Sequence, residues 1–153
     1  MEPILSKEQS IILYRTSHLL FVSSALAFYN GYYDIGLCNS ALLLTSLNFW
    51  QNPVYGWQRN LDIVVAKSCI LFQSYRAIDS DNSTLYYFFI SKTIFFYLLG
   101  MYFYYVRKDT WRSVYSHALC HIMGNVASII LYSSGVRPDT VKRHDGSFFS
   151  VSN

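Results

Sequence analysis

Two histidines one helical turn apart are the sharpest chemical signal in this sequence. His117 and His121 are separated by three residues, in the pattern H-x-x-x-H. On an α-helix this spacing puts both imidazoles on one face, where they can bind the same Zn²⁺ ion. A zinc site needs a third ligand, and His18 is the other histidine within an apolar stretch. The spacing therefore predicts a zinc site formed by His18, His117 and His121. The alternative is that the histidines make ordinary hydrogen bonds inside a helix bundle.

Two oxygen-bearing side chains, Asp62 and Ser46, lie in other apolar stretches and are the candidate catalytic residues. Asp62 could bind a metal directly or orient a metal-bound water as a general base. Ser46 could donate a hydrogen bond to an oxyanion or to Asp62. Two cations compete for Asp62. Lys67 would neutralise Asp62 or another carboxylate across the bundle, or would extend to the membrane boundary, and Arg59 would pair with Asp62 from three residues away.

The composition shows what kind of protein must position these residues. Apolar residues make up 52% of the 153 residues and charged residues only 14%, against about 25% charged residues in soluble domains. This excludes an ordinary soluble domain and also a disordered chain. The net charge is +3 and the basic residues are scattered, so no nucleic-acid partner is expected. The three cysteines have no C-x-x-C spacing and are expected to be small buried residues: Cys38, Cys69 and Cys120.

Apolar stretches of nearly the length needed to cross a bilayer, about 20 residues, occur five times: Ile11–Tyr29, Tyr33–Trp50, Leu61–Ile78, Thr84–Val106 and Ser113–Ser134. Turn or charged residues fill every gap between them. The sequence thus predicts an all-α, polytopic transmembrane helix bundle of about five spans. The bundle covers residues 11–135, after an N-terminal segment, 1–10, and before a polar, flexible tail, 136–153.

Antiparallel spans would bring the polar residues of this chain to one level of the membrane. At about 1.5 Å per residue, six of them fall within about 12 Å of the boundary on the side of the N-terminus: His18, Ser46, Asp62, Lys67, His117 and His121. Lys and Arg are more frequent on that side, which predicts a cytoplasmic N-terminus. Three tryptophans flank the same boundary, as in an aromatic belt: Trp50, Trp57 and Trp111. We expect one polar pocket at this boundary.

The arrangement of these residues resembles the superfamily of alkaline ceramidases and adiponectin-receptor-like (PAQR) membrane proteins. That pattern has Ser-x-x-x-His in an early span, Asp in the next span and His-x-x-x-His in the last. The matching positions are Ser46, Asp62, His117 and His121. The resemblance implies zinc bound by histidines and hydrolysis of ceramide-type lipid amides. The sequence departs from the pattern at Trp50, which replaces the first histidine, and in its five spans instead of seven; His18 is then the candidate for the missing ligand.

Three classes of function are compatible with these observations. The first is a zinc-dependent membrane hydrolase that acts on a lipid amide or ester. The second is a non-enzymatic membrane protein, such as a scaffold, an assembly factor or a receptor-like module. The third is a small channel or transporter, which would need a polar path through both halves of the bundle, whereas the outward half has few polar residues. Membrane lipids are the expected partners in each case.

Overall fold

The computed structural model describes residues 3–133 and is almost entirely helical. Its helices are α1 (Lys7–Ser17), α2 (Leu19–Tyr29), α3 (Tyr33–Gln51), α4 (Trp57–Ala77), α5 (Ser83–Tyr102) and α6 (Thr110–Ser133). The first two form one rod interrupted at His18, and a π-helical turn, Phe103–Arg107, extends α5. In the described range the only β-type pairing is an isolated bridge. The five rods coincide with the five predicted stretches, which confirms the all-α bundle. The predicted tail 136–153 lies outside the described residues.

Three of the rods are long and apolar enough to cross a membrane: Lys7–Tyr29, Ser83–Arg107 and Thr110–Ser133. Helices α3 and α4 have 19 and 21 residues, a sufficient length, but they contain more polar side chains. Large apolar side chains, including Phe21, Leu71 and Phe95, face outward, while serine, threonine, asparagine and glutamine occupy much of the interior. An apolar exterior around a polar interior is the distribution expected of helices packed in lipid.

The rods are arranged as an open arc. The α1–α2 rod lies in the middle and packs against α3 on one side and α6 on the other. Helix α4 packs on α3, and α5 packs on α6, whereas α4 and α5 have little contact with each other. Tyr87 on α5 donates to the Ser74 carbonyl on α4 at 2.8 Å, and at the other end the hydroxyl of Tyr55, in the loop before α4, lies 3.3 Å from that of Tyr104 in the π-helical turn. A gap therefore remains between α4 and α5.

The N-terminal segment lies against one end of the bundle, beside the α3–α4 loop and the start of α6. Ser6 caps α1 by accepting a hydrogen bond from the backbone N–H of Gln9, whose side chain in turn accepts from the Ser6 N–H, a reciprocal capping box. The Gln9 amide also donates to Thr110 at the start of α6. Before the cap, the Ile4 N–H donates to the Pro53 carbonyl at 2.8 Å. The segment is therefore fixed onto the α3–α4 loop.

A polar network joins three rods at the opposite end of the bundle. Asn39 on α3 is fully buried and accepts a hydrogen bond of 2.7 Å from the Gln73 amide on α4. The Asn39 amide also contacts the hydroxyl of Tyr132 on α6. Ser128 completes the network by donating to Gln73 at 2.8 Å. These hydrogen bonds are all made within the protein and link three helices, so the network fixes α3, α4 and α6 relative to one another.

Candidate functional site

Asp62 is held in place by two hydroxyls of the neighbouring helix. It lies on the first turns of α4, with 9% of its surface exposed. Ser46 donates to the Asp62 carboxylate at 2.6 Å, and Thr45 donates to it at 3.2 Å. Both bonds reach the same oxygen, Oδ1. The structure thus brings together Asp62 and Ser46, the two candidate catalytic residues. It also adds Thr45, which only its position next to Ser46 in the sequence could have indicated.

No basic side chain of residues 3–133 forms an ion pair with Asp62, so both predicted neutralising contacts are wrong. Lys67 is exposed on the outer face of α4, because five residues along a helix rotate a side chain by about 140°. The Arg59 guanidinium lies instead over the ring of Tyr55, 5.4 Å from its centre. Asp62 is therefore a nearly buried carboxylate whose hydrogen bonds within residues 3–133 come from the hydroxyl groups of Ser46 and Thr45.

The predicted histidine pair shares one face of α6. The imidazoles of His117 and His121 meet edge to face, with ring centres 4.9 Å apart. Trp50 on α3 packs against both, at 5.2 Å from His117 and 6.4 Å from His121. A hydrogen bond of 3.0 Å joins the Nδ1 atom of His121 to the hydroxyl of Thr16 on α1. Tyr97 on α5 also contacts His117, with ring centres 6.1 Å apart, so aromatic and hydroxyl side chains of three other rods contact the pair.

His18 does not lie with this pair. Thr16 faces His121, and two further residues along a helix rotate a side chain by about 200°, so His18 points to the opposite side of the rod. It is exposed, and its Nδ1 atom donates to the Tyr14 carbonyl at 2.9 Å. Within the described part of the chain, no three His, Cys, Asp or Glu side chains are grouped so that they could hold a metal ion. The predicted three-histidine ligand set is not assembled, and bound zinc stays a prediction.

A half-open cavity of about 130 Å³ connects the two parts of the site. It lies in the gap between α4 and α5, at the end of the bundle that carries the N-terminal segment. Asp62 and His117 both line it. One of the two candidate catalytic residues and one of the two histidines of α6 therefore face the same cavity. The other lining residues are mostly apolar or aromatic: Ile4, Leu5, Leu13, Phe49, Trp50, Tyr55, Arg59, Ile63, Tyr97, Gly100, Met101, Tyr104, Tyr105, Ser113 and Val114.

The lining residues differ in exposure and so define the mouth of the cavity. Leu13 and Val114 are almost fully buried and form the floor, whereas Tyr55, Met101 and Tyr105 are 50%, 41% and 46% exposed. The exposed residues come from the α4 side and the α5 side of the gap. The cavity is therefore open where Tyr55, Met101 and Tyr105 are exposed, between the start of α4 and the end of α5.

Trp50 corrects one expectation and adds a residue to the site. Trp57 and Trp111 are exposed, as expected for an aromatic belt, but Trp50 is only 8% exposed and lines the cavity. Its indole N–H is buried without a hydrogen-bond acceptor in the described residues. The sequence signal for this role was its place four residues after Ser46, where the resembled family has a histidine.

Comparisons with known proteins add no further assignment. No protein-family model matches the chain, and neither the curated proteins nor the solved structures include a significant match.

Proposed function

We propose that this chain is a five-span integral membrane protein, receptor-like or scaffolding in role, that binds the end of a membrane amphiphile in the cavity between α4 and α5. The observation that carries the proposal is the half-open cavity between α4 and α5 in a bundle whose outer surface carries large apolar side chains. Its lining is mainly apolar, with a few polar groups grouped at one end of the bundle. Binding pockets for small molecules commonly have this composition.

The size of the cavity limits what can enter it. A volume of about 130 Å³ is close to that of an engineered apolar cavity of about 150 Å³ that takes up benzene. Pockets that enclose a whole drug-sized ligand are larger, about 300 Å³ or more. The cavity therefore suits one headgroup or one short apolar segment, with the remainder of the lipid lying along the outer surface of α4 and α5.

The orientation proposed with this function puts the N-terminus and the cavity at the cytoplasmic boundary. Basic residues that flank the helices on this side include Arg59, Arg107 and Lys108, and such residues favour the cytoplasm. The loop after α4 and the start of α5, where the sequon Asn82-Ser83-Thr84 lies, would then face the opposite side. Cysteine-accessibility labelling at Asp81 and at Lys108 tests the orientation, since only Asp81→Cys should react with an impermeant reagent outside intact cells.

Lipid retention measured by native mass spectrometry tests the proposed binding. The protein is purified in a choline-free detergent and mixed with equal amounts of palmitoyl-oleoyl phosphatidylcholine, phosphatidylethanolamine and phosphatidylglycerol. Met101→Trp narrows the mouth and should remove most of the bound lipid. Leu98→Trp is the matched control, because Leu98 is exposed on the same helix but does not line the cavity. Equal lipid binding by both variants would contradict the proposal.

A zinc-dependent hydrolase of lipid amides or esters is the second candidate function. Its support is that Asp62 and His117 line one cavity, that His117 and His121 share a helix face, and that the sequence resembles alkaline ceramidases. The three predicted ligands do not fit a common ion, because His18 points away from the pair, so no catalytic step is derived through zinc. Elemental analysis tests this candidate. Near-stoichiometric zinc that His117→Ala removes would support it, and metal-free protein would contradict it.

A further inference from the structure

We propose that the cavity recognises a quaternary ammonium group, the trimethylammonium of a choline headgroup. The inference rests on the proposed function, since it names the chemistry of the amphiphile that enters the gap between α4 and α5. It follows from three properties of the cavity: a carboxylate that forms no ion pair within residues 3–133, aromatic walls, and an arginine at the same end.

The carboxylate of Asp62, which forms no ion pair within residues 3–133, would be stabilised by a positive charge in the cavity. Asp62 is nine-tenths buried and lines the cavity, yet its contacts within residues 3–133 are the two hydroxyls of Ser46 and Thr45, both at Oδ1. A buried carboxylate is costly unless it is paired with a cation. Arg59 lines the same cavity but stacks on Tyr55 and forms no ion pair with Asp62, and Lys67 faces outward. A cation that enters the cavity supplies the missing charge.

The aromatic lining selects the kind of cation. Six aromatic side chains surround the cavity: Phe49, Trp50, Tyr55, Tyr97, Tyr104 and Tyr105. The negative faces of such rings attract quaternary ammonium groups, and cages of this kind recognise choline and methylated lysine. A trimethylammonium group also tolerates a mostly apolar lining, because it has no N–H donor that needs an acceptor. A primary ammonium carries three N–H donors, and each of them would need an acceptor among Asp62 and the few hydroxyl groups of the lining.

Arg59 explains why the group would belong to a phospholipid. Its guanidinium is half-buried at the rim, on the same helix as Asp62 and one turn closer to the membrane boundary. The guanidinium group is well suited to bind phosphate oxygens. A phosphocholine headgroup carries both charges, with its phosphate next to the trimethylammonium. Asp62 and Arg59 would thus bind the two ends of one zwitterion at the level of the headgroups.

Competition among lipids tests the inference directly. In the three-lipid mixture, native protein should retain phosphatidylcholine at least about tenfold over phosphatidylethanolamine, a ratio of about 1.4 kcal/mol. Asp62→Asn keeps the shape of the side chain and should abolish this preference. Asp81→Asn, at an exposed loop carboxylate, should keep it. Soluble phosphocholine and choline chloride, added as competitors, distinguish a membrane lipid from a free quaternary amine.

A second pair of variants keeps the test valid if Asp62→Asn fails to fold. Tyr97→Phe retains the aromatic wall and should keep the choline preference, whereas Tyr97→Leu should lose it. Equal retention of all three lipids by native protein, with loss in Met101→Trp, would overturn the choline assignment and leave lipid binding intact. Native protein that binds neither lipid nor choline chloride would overturn both. Native protein that binds choline chloride at low concentration but retains no lipid would overturn the membrane lipid as the source of the quaternary ammonium group.

Discussion

Replacement of Asn39 by alanine is expected to destabilise the bundle more than any other single asparagine change. The substitution removes the acceptor of the 2.7 Å bond from Gln73 and the donor that contacts Tyr132. Both partners are buried, at 5% and 4% exposure. Interhelical hydrogen bonds in membranes contribute about 0.6–2 kcal/mol each, and a buried group left unpaired costs about 1–3 kcal/mol. We therefore expect a loss of about 2–4 kcal/mol.

Unfolding in mixed micelles, with increasing SDS and helicity followed by circular dichroism, measures this loss. Asn48→Ala is the matched control, since Asn48 is exposed on the same helix and exposed substitutions change stability by about 0.5 kcal/mol or less. The double variant Asn39→Ala/Gln73→Ala should be less destabilised than the sum of the two single variants by about 0.5–3 kcal/mol. Equal effects of Asn39→Ala and Asn48→Ala would refute the argument that this network fixes α3, α4 and α6.

Three further predictions concern single side chains. Lys67→Leu should favour membrane insertion of α4 by about 3 kcal/mol, because Lys67 is exposed at the centre of this helix. Glycosylation mapping in the 78–82 loop of the full chain measures the inserted fraction, and an unchanged fraction would argue against α4 as a span. Gly100→Val should destabilise the protein by about 1–3 kcal/mol, since a Cβ atom at Gly100 would lie 3.3 Å from the Ser113 carbonyl oxygen; SDS unfolding compares it with Gly56→Val, at a position with open space. Ser46→Ala should lower the free energy of unfolding by about 1.5–3 kcal/mol, the contribution of a hydrogen bond to a charged group, and should weaken lipid retention. An unfolding free energy equal to that of native protein would show that the 2.6 Å bond to Asp62 contributes nothing.

The sequence predicted the helices well because the signal is local. Apolar runs of about 20 residues separated by turn residues define each rod without knowledge of its neighbours. Two pairs of neighbouring residues were also predictable. His117 and His121 share a face of one helix, and Asp62 and Ser46 lie at similar depths in the membrane on adjacent helices. In each case the helical period and the rise per residue determine the relation.

The angular position of a residue around its helix could not be predicted in the same way. Depth placed His18 and Lys67 at the level of the site, but both side chains face outward. The face that a helix turns inward depends on how the rods pack, and the apolar residues of a membrane helix give no strong amphipathic pattern to indicate it. For the same reason Trp50, at the boundary by depth, was assigned to the aromatic belt although it faces the interior.

The polar groups at the two ends of the bundle differ in a way that separates structure from function. At one end, Asn39, Gln73 and Ser128 satisfy one another, and a closed network of this kind stabilises packing without a ligand. At the other end, Asp62 has hydroxyl donors but no cation, and the Trp50 N–H has no acceptor among residues 3–133. Polar groups inside a membrane bundle are costly when they are incompletely paired. Their concentration around one half-open cavity, and not around the network, is the physical reason to place binding there.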